Sequence, residues 1–390
     1  MISLDNVNYC EKCFEKLDET NMYTHSCQPM SNTMRFPAAL PEGTVLSGKY
    51  LVGSVIGKGG FGITYLCFDI NRKCRVAIKE YFPDYCAHRT LGAKTVGISH
   101  DTAEYKKGVE KFYKEAKLLA GFRNCPSIVN VLSFFQENNT AYLVMEYLDG
   151  CDLKTHFRSG AHFDENYVIF LTIEVLKGLK LLHDKKIYHR DISPDNIFIC
   201  KNGQIKLIDF GSARTSAATY SVMLKPGFAP TEQYQTNGNQ GPWTDIYEVG
   251  ATAYYFLKGN VLEPAPSRVA NDVLNLSGIS PKFAVILSKM IAVKIEHRYK
   301  SVDDVIKDLV KMLNGGVTSP TESSGQNMTV DVKPSDNNQA YDVSNNTSNQ
   351  SFFEIIKNNP SMKKLFITAC ILGGALFVTG VVLLAYFGSI

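Results

Sequence analysis

Strong charge imbalance is absent from this chain. Its 41 basic and 38 acidic side chains nearly cancel to a formal net charge of +3. That balance gives no reason to expect nucleic acid as the main partner. An apolar run at the start is missing too: Met1 to Glu11 has acidic and polar residues among its apolar ones, so no secretory signal peptide is expected. No internal repeat is apparent. From Gly315 to about Pro360 large apolar side chains are scarce and Asn, Ser, Thr and Asp abound. Such a segment does not offset its ordering entropy and is expected to be disordered. Its Asn346-Thr-Ser348 triplet matches a glycosylation acceptor, an accidental match if the segment lies in the cytosol. Seven of the ten cysteines are scattered through apolar or loop contexts and read as small buried hydrophobes of a reducing compartment. The other three, Cys10, Cys13 and Cys27, crowd the N-terminus.

What is present divides into zones. Hydrophobic residues make up 45% of the 390 residues and charged ones 20%, enough for a sizeable core. Residues 1–36 form a small Cys-bearing segment, and 37–47, with Leu40-Pro-Glu-Gly43, a turn-rich linker. Residues 48–314 alternate strand-like and helix-like patterns, 315–362 form the disordered linker, and 363–390 carry an apolar stretch. Within 48–314, strands are expected at Tyr50 to Ile56, Ile63 to Asp69, Arg75 to Lys79, Val129 to Phe135 and Thr140 to Tyr147. A helix is expected over Tyr105 to Leu119, with Val109, Phe112, Ala116 and Leu119 on one face. Further helices follow at Tyr167 to Leu182, Thr244 to Leu257, Pro281 to Ala292 and Val302 to Leu313. Strands first and helices later argue for an α+β architecture, a small sheet-rich lobe followed by a larger helical one.

Gly57-Lys58-Gly59-Gly60-Phe61-Gly62 matches G-x-G-x-x-G. A dinucleotide-binding turn needs a helix next, whereas Ile63 to Phe68 is strand-like. Two strands joined by glycines suit a flap over phosphates, where absent side chains let backbone N–H groups approach the oxygens. Val76-Ala77-Ile78-Lys79 ends the third strand and places an ammonium beneath the flap; Glu115, on the following helix, is its natural counter-charge. His189-Arg190-Asp191 precedes Asn196 by the spacing of a catalytic loop, and Asp209-Phe210-Gly211 follows a strand-like run. Together these groups suit phosphoryl transfer: Asp191 to accept a hydroxyl proton, Asn196 and Asp209 to offer hard oxygens to Mg²⁺, Lys79 to hold nucleotide phosphates.

In this order and spacing the motifs resemble those of bacterial, eukaryotic-like Ser/Thr protein kinases, over about two-thirds of the chain. The resemblance implies a bilobal protein-kinase fold with ATP between the lobes and a protein substrate. It implies that Ile56, the flap residues 57–62 and Thr64 cover the nucleotide. Met145 would be the gatekeeper, Glu146 to Leu148 the hinge that receives adenine, and Ala77 and Phe198 the sandwich around its ring. It also pairs Lys79 with Glu115 and Glu232 of Ala229-Pro-Thr-Glu232 with Arg298. Asp245 would brace the catalytic loop, and Arg190 would meet phosphate on the segment holding Thr215, Ser216, Thr219, Tyr220 and Ser221. Pro194 resembles Ser/Thr rather than Tyr kinases.

The chain departs from that pattern at several places. Ser193 stands where a catalytic-loop lysine is usual, and Lys225 stands near the usual substrate-loop threonine. One reading exchanges the two roles, with Lys225 reaching the γ-phosphate and Ser193 accepting its hydrogen bond; the other leaves Lys225 in solvent. A non-catalytic scaffold that binds nucleotide or partners is the alternative function, and Ser193 is its support. Thr64 replaces a valine, and Lys79-Glu-Tyr-Phe-Pro83 extends the third strand without an evident reason.

Cys10-x-x-Cys13 and His25-x-Cys27 resemble a zinc knuckle whose second half is broken by Met30. A segment this small gains from a metal staple, with His25 as fourth ligand; a degenerate, metal-free knuckle is the alternative. Leu365 to Phe387 contains no charge and is long enough to span a bilayer as one transmembrane helix. Lys363 and Lys364 at its start keep the kinase-like part cytoplasmic, with little chain expected beyond the membrane. Ala369 and Gly373 form a small-xxx-small pair, a weak pointer to a homodimer.

Overall fold

The structure is a computed structural model that describes residues 2–4, 7–18, 25–27, 31–99, 102–122, 125–210, 214–215 and 224–314. A six-stranded antiparallel sheet forms the first lobe. Its order is Val131–Glu137, Thr140–Glu146, Cys74–Tyr81, Gly62–Asp69, Tyr50–Gly59 and Val45–Leu46. Helix Thr102–Leu119 packs on this sheet through Tyr105, Phe112, Ala116 and Leu119. Tyr105 therefore joins the expected face, and Val109 is only half-buried.

The second lobe is built on helices Glu165–His183 and Pro242–Lys258, both buried along most of their length. Asp164 caps the first by accepting from the Tyr167 amide at 2.8 Å, and Gly259, at φ 72°, ends the second in the left-handed region that favours glycine. Helices Pro281–Met290 and Val302–Asn314 complete it. Strands Gly150–Asp152, Ile197–Cys200 and Ile205–Leu207 form a small sheet; the last is the strand-like run expected before Asp209, and the other two were not expected.

Three boundaries differ from expectation for physical reasons. The first strand runs on through the glycines to Gly59, because the flap is a continuous hairpin with Gly57 opposite Thr64 and Gly59 opposite Gly62. The third strand, read as Arg75 to Lys79 with an extension toward Pro83, starts at Cys74 and ends at Tyr81, where Gly62 pairs with it. The segment read as a linker does turn at Pro41–Gly43, yet Ala39, Leu40 and Leu46 are fully buried and Val45–Leu46 adds a strand to the sheet. Among the scattered cysteines, Cys67, Cys86 and Cys200 are buried as expected, and Cys74 is exposed.

Among the described residues no helix is long and apolar enough to cross a membrane. The apolar stretch Leu365 to Phe387, the preceding linker, Gly211, Met30, Ser216, Thr219, Tyr220 and Ser221 lie outside the described residues.

Candidate active site

Strand registry assembles the roof of the cleft. Thr64, Lys79 and Leu143 are direct cross-strand neighbours, as are Leu66, Ala77 and Met145 two residues along. Because side chains alternate with a period of two, all six share one face of the sheet. The flap closes this face at one end. A Cβ on Gly62 would collide with the carbonyl oxygen of Glu80, so glycine is required there. Over Gly59 the space is open, and at Gly57 only Thr64 lies within ordinary contact distance. Room therefore remains above the two glycines for a ligand. Ile56 and Phe61 are about half exposed at the flap's rim.

The floor is the loop that carries His189-Arg190-Asp191. Asp245, fully buried, accepts from the amides of His189 (2.9 Å) and Arg190 (2.7 Å) and from His183 Nε2 (2.7 Å). Burial works against its charge, but the His183 contact and these amides hold its carboxyl below the ordinary range. Arg190 is held at φ 63°, a left-handed conformation that persists because Asp245 grips its amide and Gln233 Nε2 donates to its carbonyl at 3.0 Å. Glu248, three residues beyond Asp245 on the same helix face, accepts from the Ile192 amide at 2.7 Å and from Gln233 at 2.9 Å. Burial and the neighbouring Asp245 push its pKa up. Sequence reasoning missed Glu248, although its spacing from Asp245 was the available signal.

Four charged groups and an amide converge between roof and floor. Asn196 Nδ2 donates to the backbone oxygen and to Oδ2 of Asp191, both at 2.8 Å, which leaves its own carbonyl oxygen for a hard cation. Burial raises the pKa of Asp191, opposed by Lys225. Lys225 Nζ donates to Ser193 Oγ at 2.8 Å and lies 3.1 Å from Asp191 Oδ1. The lysine near the substrate loop therefore occupies the space beside Asp191 while Ser193, fully buried, accepts its hydrogen bond. Lys79 Nζ donates to Asp209 Oδ1 at 2.8 Å. Asp209 sits at φ 57°, a second strained residue at the centre of the cleft.

The expected Lys79–Glu115 ion pair is not the contact formed; among the described residues the ion pair of Lys79 is with Asp209. Glu115 still acts on the lysine. Burial disfavours the Lys79 charge, but Asp209 first and Glu115 second hold its pKa above the ordinary value. Glu115 itself is pushed up to about 7 by burial, against the pull of Lys79. The physical reason is competition: Asp209 is hydrogen-bonded to the ammonium, so Glu115 feels it from further away.

Around the cleft, Arg298 makes a bidentate pair with Glu232, at 2.7 and 3.1 Å. The side chain of Glu146 accepts from Lys206 (2.7 Å) and from the Asn130 amide (2.8 Å). Leu148 is partly buried against the core, and Phe198 lies opposite Asp152 and Lys206 in the small sheet.

The N-terminal cysteines are gathered too. Side-chain ligand atoms of Cys10, Cys13, His25 and Cys27 lie within 4.8 Å of one another, with Cys13 Sγ 3.3 Å from His25 Nε2. Burial raises the Cys10 thiol, but the amides of Cys13 and Lys12 outweigh it and bring it down to about 7. Burial pushes the Cys13 thiol up to about 12. Three sulfurs and an imidazole at this spacing suit a tetrahedral zinc ion, with Zn–S bonds of about 2.3 Å. The segment is docked: Phe14 packs on Phe68 and against Gly53, Lys12 O accepts from Ser54, and Cys13 and Tyr9 lie in the same cluster as Tyr147.

Comparison with known proteins agrees with this geometry. The family described as "Protein kinase domain" matches residues 50–315, more than half of the chain. "Serine/threonine-protein kinase B" of Synechocystis sp. is 29% identical over 318 residues, covering 75% of this chain and 51% of that protein. "Serine/threonine-protein kinase F" of Synechocystis sp. is 26% identical over 398 residues, covering 96% of this chain and 77% of its own length. The solved structure titled "PpkA-294 apo form" superimposes with a TM-score of 0.61 at 31% identity, covering 70% of this chain and 99% of that one. The chain spans about half the length of the first curated relatives it matches.

Proposed function

Because this chain belongs to the protein kinase domain family, we propose that it transfers the γ-phosphoryl group of ATP to Ser or Thr hydroxyls of protein substrates. The observation that carries this reading is the pairing of the motif residues in two sets, Asn196 and Lys225 on Asp191 and Lys79 on Asp209, with Asp191 close enough to act electrostatically on Lys79. Asp191 accepts the proton of the attacking hydroxyl; burial, by raising its pKa, makes it a better proton acceptor than an exposed aspartate. Lys225 sets a positive charge beside that base, where charge develops during transfer, and Ser193 orients it. Lys79 supplies the second cation, toward the nucleotide phosphates. Asn196 and Asp209 offer the carbonyl and carboxylate oxygens that hold Mg²⁺, which when bound supplies Lewis-acid charge to the phosphate oxygens. The scaffold alternative loses its support, because the charge that Ser193 lacks is present on Lys225.

Purified protein incubated with labelled ATP and a generic protein substrate tests this. Label on Ser and Thr, dependent on Mg²⁺, is expected; no incorporation under any divalent cation overturns it.

Two attachments complete the proposal. The segment 1–36 holds one structural zinc through Cys10, Cys13, His25 and Cys27, a reading supported by their gathered ligand atoms. Metal analysis of the whole chain should find about one zinc per molecule, lost on Cys10→Ser with Cys13→Ser. Residues 363–390 anchor the protein in a membrane by a single pass, with domain 48–314 in the cytoplasm and Ala369 and Gly373 as the contact for a second copy. The uncharged run Leu365 to Phe387 supports this. Removing it should release the protein into the soluble fraction.

A further inference from the structure

The Lys79-Glu-Tyr-Phe-Pro83 run, without an evident reason in the sequence, has one in the fold. Beyond Lys79 the strand continues alongside the flap. Gly62 pairs with Tyr81; the Phe82 amide donates to Phe61 O at 2.9 Å and the Asp84 amide to Gly60 O at 3.0 Å. Lys58 Nζ, on the flap's other arm, donates to Asp84 Oδ2 at 3.0 Å. A glycine hairpin of this kind has weak conformational preferences of its own. Here its tip is tied along one edge.

The tie is itself anchored. Glu80 and Arg89 form an ion pair with no exposed side-chain surface. Tyr65 Oη and Tyr142 Oη donate to Glu80 at 2.8 and 2.9 Å, and Arg89 also donates to Ala38 O and Lys94 O. Tyr81 packs on Tyr105 and Phe112 of the helix that carries Glu115. Phe82 is buried beneath the Arg89 guanidinium.

We propose that residues 82–84 are a latch that positions the flap over the nucleotide phosphates, and that Lys58 is a positioning residue within it and not a phosphate ligand. A peptide carbonyl facing a phosphate repels it. With the carbonyls of Gly60 and Phe61 engaged by the latch, they are turned from that role, and the Lys58 charge is neutralised by Asp84. The inference rests on the phosphoryl-transfer reading only for what lies under the flap.

The test compares the whole protein with Asp84→Ala, Lys58→Ala, the double variant and the swap Lys58→Asp with Asp84→Lys. Both ion-pair residues are partly exposed, so the expected effects are modest. Each single variant should weaken Mg-ATP binding and raise KM for ATP by about two- to five-fold, with adenosine binding and kcat changed less than about two-fold. The double variant should be no worse than either single one, and the swap should recover part of the loss. In the nucleotide-free protein, hydrogen exchange over residues 56–64 should quicken in each single variant. If Lys58→Ala costs clearly more than Asp84→Ala and the swap rescues nothing, Lys58 is a phosphate ligand and the latch assignment is overturned. Unchanged hydrogen exchange overturns it as well, even if the parent protein binds no ATP. Failure of the parent to bind Mg-ATP, with exchange responding as stated, instead refutes the nucleotide reading alone.

Discussion

Two buried Arg–Glu pairs and the Lys and Asp charges of the cleft all join a cation to a carboxylate, yet they behave oppositely. Arg89–Glu80 in the first lobe and Arg298–Glu232 in the second are sealed: their side chains are 0% and 0%, and 0% and 2%, exposed. Their donors are spent on carboxylates and on backbone carbonyls, those of Ala38 and Lys94 in one case and Ala292 and Val293 in the other. In the cleft, Asp209 and Lys225 are 46% and 34% exposed, and each cation has competing partners: Asp209 and Glu115 for Lys79, Ser193 and Asp191 for Lys225. A buried charge with every partner in place holds segments together. Charges left in competition remain available to a substrate, and the pKa values of Lys79, Glu115 and Asp191 are all raised there.

This contrast is tested by substitutions that should cost rate on one side and stability on the other. The largest effect belongs to Asp191→Asn, which should lower turnover by roughly 10²- to 10⁴-fold while Mg-ATP affinity and the unfolding midpoint stay near the parent's. Turnover within about tenfold of the parent would remove Asp191 from the chemistry. Arg89→Ala should act on the other side, lowering unfolding free energy by about 3–5 kcal/mol because it strands the buried Glu80 carboxylate. Denaturant titration checks this, and a loss under about 1 kcal/mol would mean the pair is not sealed in solution. Lys225→Ala should cost turnover by one to three orders of magnitude, about 2–4 kcal/mol, with little change in stability. Adding Ser193→Lys should restore part of that rate, and a silent Lys225→Ala would place its ammonium outside the reaction.

The smallest effect concerns Glu115. Its folded pKa of about 7 lies above the ordinary 4.5, so between those values the folded state binds more protons than the unfolded one. Stability must then fall as pH rises through that window, by at most about 1.4 kcal/mol per pH unit from this group. Glu115→Gln should abolish this component, which parallel denaturation curves of the two proteins from pH 5 to 7.5 would reveal; identical slopes would count against a raised pKa.

The cleft was legible in advance because its chemistry is written in short loops. The Gly57–Gly62 flap, Lys79, Asp191, Asn196 and Asp209 each sit in a brief motif, and the Ser193 and Lys225 departures showed as two substitutions with one remedy. The sealed pair of the first lobe was not legible. Glu80 and Arg89 are nine residues apart in a stretch with no periodicity, and a charged residue in sequence is by default a surface residue. Leu40 and Ala39 looked like linker for a related reason, since a turn signal says nothing about what the flanking residues pack against.

By itself the sequence determined the two-lobe order, the residues able to carry phosphoryl transfer, and the candidate zinc ligands, because side-chain chemistry and short-range spacing suffice for these. Tertiary structure alone decided which charges meet. It put Asp209 rather than Glu115 against Lys79, placed Lys225 between Ser193 and Asp191, and closed Glu80 with Arg89 on the sheet face opposite Lys79. The reason is that electrostatic partnership depends on distance and on burial, and both are set by how strands and helices distant in sequence pack together.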